Sequence, residues 1–528
     1  MSSTDMFGAA ELLKKEGPDL LRAFIRGRRG AVGADLRLEV MFSRSSSATD
    51  GEARSAHEGE SAGFSVSVRV DEPSGASGTG QTGVEVGRLA LRPARLFAAI
   101  RAGLAEAYER ARLSAREKAA LVRALNKYSG PARSLASVPP GPRAAVHDEV
   151  AAVYQRDPRT LGPGELQRLC RDTSARVAAL GPEIAFNAVA ALSEVREELF
   201  IGSDGTLISQ GFAFSQGDCY IVAQNGDGHQ EIYDTIGQQR GLECLSEGWR
   251  GELMPNPDLL TFALELAGEA RELAAAPALK PPDAEVTVVT DPHFNALISH
   301  EIIGHPSEAD RALKMEAAYA GRSWFLRSLE DNEVGRQVGS PLMSACSDPS
   351  LDGYGHYLYD HEGTRARRVT HVDKGVFHGF LNSRDTAAVL GVEPNGSARA
   401  SEVFYVPLIR MSNTFLMPGE SDPQQIIADV DHGYYVCGSA VPSIAESREN
   451  FRISARRIYE IDHGRVGRLY RAGSVIADSK DFFMQVDAVG NDLRLIAIPN
   501  CGKGQPMQVK RMSNGGPTMR SRARLGGG

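Results

Sequence analysis

The sequence predicts an α+β protein in three parts. Mixed α/β N-terminal (1–130) and central (131–280) regions precede a β-rich C-terminal domain (283–528) that carries a short, histidine-bearing helix. Three observations predict this. Alternating apolar and polar runs near the start read as half-buried strands. A long run of strong helix formers follows them. Pro277, Pro281 and Pro282 then break the chain before a stretch of short β-like segments joined at glycines.

Taken in order, "ADLRLEVMF" (Ala34 to Phe42), "FSVSVRV" (Phe64 to Val70) and "VEVGRLALR" (Val84 to Arg92) are the first strands. The Ser/Gly-rich segment 43–63 between the first two has almost no large apolar residue and predicts a flexible inserted loop. "EPSGASGTGQTG" predicts a second loop. The run from Arg95 to Leu125 predicts two helices, and Ser134 to Pro163 a linker with helical pieces. "GELQRLCRDTSARVAAL" and "PEIAFNAVAALSE" read as helical, and the residues after them as strands turning at Ser203-Asp204-Gly205 and Asn225-Gly226. Toward the C-terminus, "HEGTRARRVTHVDKGVFHGFL" and "RIYEIDHGRVGRLY" read as hairpins around glycine, and residues 512–528 as a disordered tail.

The bulk properties exclude several classes. At 528 residues the chain is long enough for more than one domain. A net charge of -8 argues against a general nucleic-acid binder. No run of about 18 apolar residues predicts a membrane helix. The start lacks the basic and apolar regions of a signal peptide. Six scattered cysteines, with no CxxC pair, fit a reducing cytoplasm. The expected location is therefore cytoplasmic, with no nucleic-acid or membrane partner.

The chemistry concentrates in "DPHFNALISHEIIGHPSEADRAL" (Asp291 to Leu313). Asp291 is a good N-cap, Pro292 suits the first helical position, and Phe294, Leu297, Ile298 and Ile302 form an apolar stripe. His293, in the first turn, is expected at the surface. His300 and His305 lie five positions apart. On a regular helix that spacing splays the rings by roughly 140°. A shared metal ion therefore demands distorted backbone: a π-bulge, or unwinding at Gly304 with a turn fixed by Pro306. Glu301 is placed to act as a general base. Two histidines leave a ligand missing, which Glu308, Asp310 or a distant residue could supply. A His-Glu pair is by itself unspecific. His361-Glu362 repeats it in a turn-like setting, and His356, His371 and His378 read as structural or surface residues, the last two on opposite strand faces.

"HEIIGHPSEAD", "RMSNTFLMPGESDPQQII" (Arg410 to Ile427), "VGNDLRL" (Val489 to Leu495) and "CGKGQP" (Cys501 to Pro506) follow one another in an order that resembles the TldD/PmbA family of metallopeptidases, in its HExxxH-bearing TldD branch. The resemblance runs from about residue 30 to 510 and is densest after 284. It implies a catalytic C-terminal domain, Zn2+ held by His300, His305 and Cys501, and Glu301 as base. Glu308 and Asp310 match family positions, with a role in orienting a histidine from behind. Cys501 is expected in a loop, with Lys503 helping to stabilise a thiolate. Implied substrates are short or unfolded peptides. The implied partner is a related subunit lacking the metal motif, in a heterodimer, or a second copy in a homodimer. Pro306-Ser307 departs from the family's Gly-Leu. Two competing readings are a non-catalytic zinc-stabilised peptide-binding or scaffold subunit, which would have no need of Glu301, and a thiol enzyme using Cys501. No G-x-S-x-G or P-loop signature supports a serine hydrolase or a nucleotide-binding reading.

Overall fold

A computed structural model describes residues 4–73, 75–86, 92–124, 138–162, 164–316 and 321–527. Residues 87–91 of the expected strand Val84 to Arg92, and 134–137 and 163 of the expected linker, lie outside the described residues. The protein is a mixed α/β molecule, rich in strand, built on three large sheets.

The first sheet combines β1 (Ala31–Thr49), β2 (Glu52–Asp71), β3 (Ser77–Val86), β4 (His147–Val150), β5 (Ile184–Gly202), β6 (Leu207–Asn225) and β7 (Gly228–Gln238). Its order is β3-β2-β1-β5-β6-β4, with β7 also on β6. Residues 1–130 and 131–280, expected as separate units, therefore contribute to one sheet. Helices α1 (Thr4–Arg26) and α2 (Pro93–Ala124) pack on its first strands. The other end is covered by α3 (Glu165–Ala178) and α4 (Leu259–Ala275).

Four expectations are corrected here. The segment 43–63 is no loop. It completes a hairpin paired from Ala31↔Val70 to Thr49↔Glu52. Asp50 (φ 50°) and Gly51 (φ 81°) form its two-residue turn, a strong hairpin signal that the polar composition concealed. Its serines bond across the strands, with Ser46 Oγ 2.7 Å from Ser55 O. The second expected loop is largely β3, whose glycines admit α2: a Cβ on Gly80 would sit 2.1 Å from Ala107 O. The residues from Arg95 onward form one helix, not two. "PEIAFNAVAALSE" is mostly strand β5, with Asn187, Val189, Ala191 and Ser193 alternately buried between β1 and β6. Its alanines favour helix intrinsically, but pairing on both edges overrides that preference.

Beyond residue 283 come β8 (Val286–Thr290), β9 (Ala345–Ser347), β10 (Val369–Asp373), β11 (Val376–Phe377), β12 (Ala398–Arg399), β13 (Leu408–Ile409), β14 (Asn413–Leu416), β15 (His432–Ile444), β16 (Asn450–Asp462), β17 (Arg465–Tyr470), β18 (Gly473–Asp478), β19 (Ala488–Val489), β20 (Arg494–Lys503), β21 (Gln508–Gly516) and β22 (Met519–Gly527). One sheet has the order β15-β8-β22-β18-β16-β17, and a further β15–β16 pairing closes five of its strands into a ring. The other runs β11-β10-β9-β14-β21-β20. The expected disordered tail is thus the end of β21 and all of β22, an interior strand between β8 and β18. "MRSRARL" alternates buried Met519, Ser521, Ala523 and Leu525 with outward arginines. The basic residues that suggested disorder are one face of a strand.

Candidate metal centre

Strand β8 ends at Thr290, and Asp291 caps the next helix, α5 (Pro292–Ile298), accepting from Phe294 N at 2.7 Å. The apolar side of this helix buries Phe294 and Ile298. It lies between β15 of the ring and β20 and β21 of the other sheet. His293 is half-buried rather than at the surface, because Asp234 of β7 lies beside it, with Oδ2 3.4 Å from His293 Nε2.

From Ser299 to Gly304 the backbone widens into a π-helix, and the His305 amide donates to His300 O, five residues back. A 3-10 turn, His305–Ser307, follows, with Pro306 at its start. Of the two distortions expected, both occur in succession. The first brings the His300 and His305 rings to 4.7 Å between centroids. Side chains satisfy the carbonyls that this geometry leaves free: Arg448 donates to Glu301 O (3.1 Å), Trp324 Nε1 to Ile302 O (3.1 Å) and Ser307 Oγ to Ile303 O (2.5 Å). Ser307 and Pro306 thus serve the turn itself.

Cys501 reaches the same point from the far end of the chain. It lies not in a loop but in β20, just past a bulge between Ile498 and Cys501, and is buried. Its Sγ is 3.5 Å from His305 Nε2. The donor atoms of His300, His305 and Cys501 all lie within 4.8 Å of one another. Each imidazole is held from behind. His300 Nδ1 donates to Asn514 Oδ1 (2.8 Å) and His305 Nδ1 to Glu308 Oε2 (3.0 Å). Both Nε2 atoms are thereby left for an ion. Two imidazoles held through their Nδ1 atoms and a thiolate suit zinc's donor preferences.

The remaining candidates divide. Glu308 also accepts from Arg311 (2.9 Å) and Lys503 (3.1 Å), and Asp310 from Lys503 (2.6 Å) and Ile409 N (3.1 Å). Lys503 therefore holds the two acids rather than the thiolate. Arg410 stands nearer that role: it donates to Cys501 O, and its charge helps draw the thiol down. Burial disfavours the Cys501 thiolate, but His305, His300 and Arg410 outweigh it and hold the thiol well below its ordinary value. Glu301 is ion-paired with Arg448. Burial raises its carboxyl, yet Arg448 and the two histidines overcome this and bring it to about 2.

Asn514, Arg448 and Arg410 escaped the sequence reading of the site. One signal was available. "RMSN" occurs twice, at 410–413 and 511–514, and the copies lie side by side on parallel strands, with Thr414 opposite Asn514. The other cysteines are buried away from the centre, where burial pushes Cys170, Cys244 and Cys346 up to about 12.

Residues 283–525 match the PmbA/TldA metallopeptidase C-terminal domain. A protein named metalloprotease from Methanothermobacter thermautotrophicus is 30% identical over 383 residues, covering 72% of this chain and 78% of its own. A Saccharolobus solfataricus protein named zinc metalloprotease TldD homolog is 25% identical, covering 67% and 74%. The solved structure of TldE from Thermococcus kodakarensis superposes with a TM-score of 0.67 at 16% identity, over 98% of this chain and 100% of that one. With its motifs, donor cluster and relatives in agreement, this chain belongs to the TldD/PmbA family of metallopeptidases.

Proposed function

We propose that the protein is a zinc-dependent peptidase acting on short or unfolded peptides. The observation that carries this is the meeting of His300, His305 and Cys501, 196 residues apart in sequence at its widest step, beside the carboxylate of Glu301. Bound there, zinc supplies a Lewis acid that acidifies water and polarises a peptide carbonyl. Asn514 and Glu308 engage the two Nδ1 atoms, which leaves Nε2 of each ring as the coordinating atom, aimed inward. Arg448 keeps Glu301 ionised, the form that accepts a proton at its carboxylate oxygen and returns it to the departing amine. A purely structural zinc site has no use for such a carboxylate.

The substrate space follows from the same framework. Strand β20 ends its sheet, paired through β21, so an extended peptide can add to an edge near Cys501 through main-chain hydrogen bonds. A cavity of about 640 Å³ between the first sheet and the C-terminal part is lined by Asn500, the neighbour of Cys501, and by Tyr354, Arg399 and Lys510. The TldE likeness favours assembly with a related subunit, with a homodimer as the alternative.

The test compares wild type with Glu301→Gln. Zinc content stays equal, while cleavage of a peptide library falls by about 10²–10⁴-fold, the usual contribution of a general base. Equal cleavage would remove Glu301 from that role. Cys501→Ser is expected to lose zinc; full affinity in that variant would break the ligand set. A chelator abolishes activity, whereas a thiol enzyme would survive it.

A further inference from the structure

A second group of metal donors lies on the outer rim of the C-terminal ring, built from residues the peptidase reading does not use. The tripeptide Asp-His-Gly occurs twice, at 431–433 and 462–464. The first opens β15 and the second closes β16, and the antiparallel register sets His432 directly opposite Asp462. Asp431, His432 and His463 offer ligand atoms within 4.8 Å of one another.

The arrangement is reciprocal. His463 Nδ1 lies 2.5 Å from Asp431 Oδ1, and His432 Nδ1 lies 3.0 Å from Asp462 Oδ1. A carboxylate accepts, so each Nδ1 carries the proton and each Nε2 is left as a donor to a metal. The Nε2 of His432 is 3.7 Å from Asp431 Oδ2, and that of His463 is 3.9 Å from Asp462 Oδ1. The imidazole centroids are 5.0 Å apart. Tetrahedral donors at zinc distances stand about 3.3 Å apart, so small rotations of exposed side chains close the group around an ion.

The backbone beneath is fixed. His463 (φ 47°) and Gly464 (φ 74°) form a left-handed turn, and their amides donate to Asp431 O (2.6 Å) and Val430 O (2.8 Å). A Cβ on Gly464 would meet Ala428 O at 2.4 Å. The donors are thus carried by two paired segments that cannot drift apart, which lowers the ordering cost of binding.

We infer that Asp431, His432, Asp462 and His463 form a surface site for a borderline divalent metal ion such as Zn2+, Ni2+ or Cu2+. Two imidazoles beside carboxylates select these ions over Mg2+ and Ca2+, which prefer all-oxygen shells. The ion fastens the start of β15 to the β16–β17 turn. The inference is independent of the peptidase reading, since neither histidine touches the buried centre.

The test is calorimetric titration of Zn2+, with Mg2+ as control, into the full-length chain whose buried centre already holds zinc. The wild type shows a binding event that Mg2+ does not produce. His432→Ala and His463→Asn each remove it; asparagine tolerates the left-handed backbone, so the turn survives. Asp462→Asn weakens it 10–100-fold, as loss of a carboxylate behind a metal-bound histidine does. A His300→Ala protein keeps the event, which separates this site from the buried centre. With Cu2+, electron paramagnetic resonance shows coupling to imidazole nitrogen in the wild type and not in the His432→Ala/His463→Asn double variant. Absence of the event in the wild type, or its persistence at unchanged affinity in the double variant, overturns the inference.

Discussion

At the scale of single residues, the centre depends as much on what stands behind the histidines as on the histidines themselves. Asn514 is the clearest case. It is fully buried, its Nδ2 donates to Thr414 O (3.1 Å), and its orientation is therefore fixed with Oδ1 toward His300. Replacing it by alanine leaves His300 Nδ1 without an acceptor and frees the ring to turn. Asn514→Ala is expected to lower zinc affinity 10–100-fold with the fold retained, measured by competition against a chromogenic chelator. Unchanged affinity would show that packing alone orients His300. The sequence exposed His300, Glu301 and His305 through spacing. Cys501 needed the family resemblance, because nothing local in "PNCGKG" distinguishes a ligand from a buried thiol. Asn514 and Arg448 stayed hidden for a physical reason: their roles arise from strand pairing and loop return across more than a hundred residues, and no spacing rule encodes those.

At the scale of the element, the π-helix is the device that turns a five-residue spacing into one site. Sequence geometry required a distortion near Gly304, and the structure shows why glycine stands there. Gly304 has ordinary helical dihedrals, with φ -63°, so conformational freedom is not the reason. A Cβ at this position would lie 1.9 Å from Met411 Sδ. Met411 in turn touches Asn514, whose Nδ2 is 3.8 Å from the sulfur. In an unconstrained helix, Gly→Ala gains about 0.5–1 kcal/mol. Here overpacking costs about 1–3 kcal/mol and wins. Gly304→Ala is expected to lower both thermal stability and zinc affinity, and Met411→Ala in the same chain to restore part of each, a coupling that a double-mutant cycle reads directly. Additive losses would remove the contact as the cause. Elsewhere, the elements most easily misread were those whose composition misled: a serine-rich hairpin, an alanine-rich strand and an arginine-rich strand. Each shows strand alternation once its pairing partners are in view.

At the scale of the whole molecule, the first sheet and the C-terminal part are joined by buried polar contacts, and two histidines make that architecture acid-sensitive. His361 spans the joint: its Nε2 meets Glu198 of β5 (3.0 Å) and its Nδ1 accepts from Arg37 of β1 (2.9 Å) and Ala400 N (3.0 Å). Burial holds it down at about 4, against the pull of Glu198. His371, wholly buried in the sheet of β9 and β14, donates from Nδ1 to Gly379 O and accepts from Ser347 at Nε2. Burial brings it to about 4 as well. An unfolded histidine titrates near 6.5. Between pH 6.5 and 4 the unfolded chain therefore takes up protons that the folded chain refuses, and stability rises with pH across that window. It is fully present above 6.5 and lost as pH falls toward 4, by on the order of 3 kcal/mol for each histidine moved that far. The thermal midpoint is expected to fall steadily from pH 7 to 5, and His371→Gln to flatten the slope while lowering the midpoint at pH 7. A midpoint independent of pH across this range would mean that the cavity beside His361, or local opening around His371, admits the proton without loss of the fold.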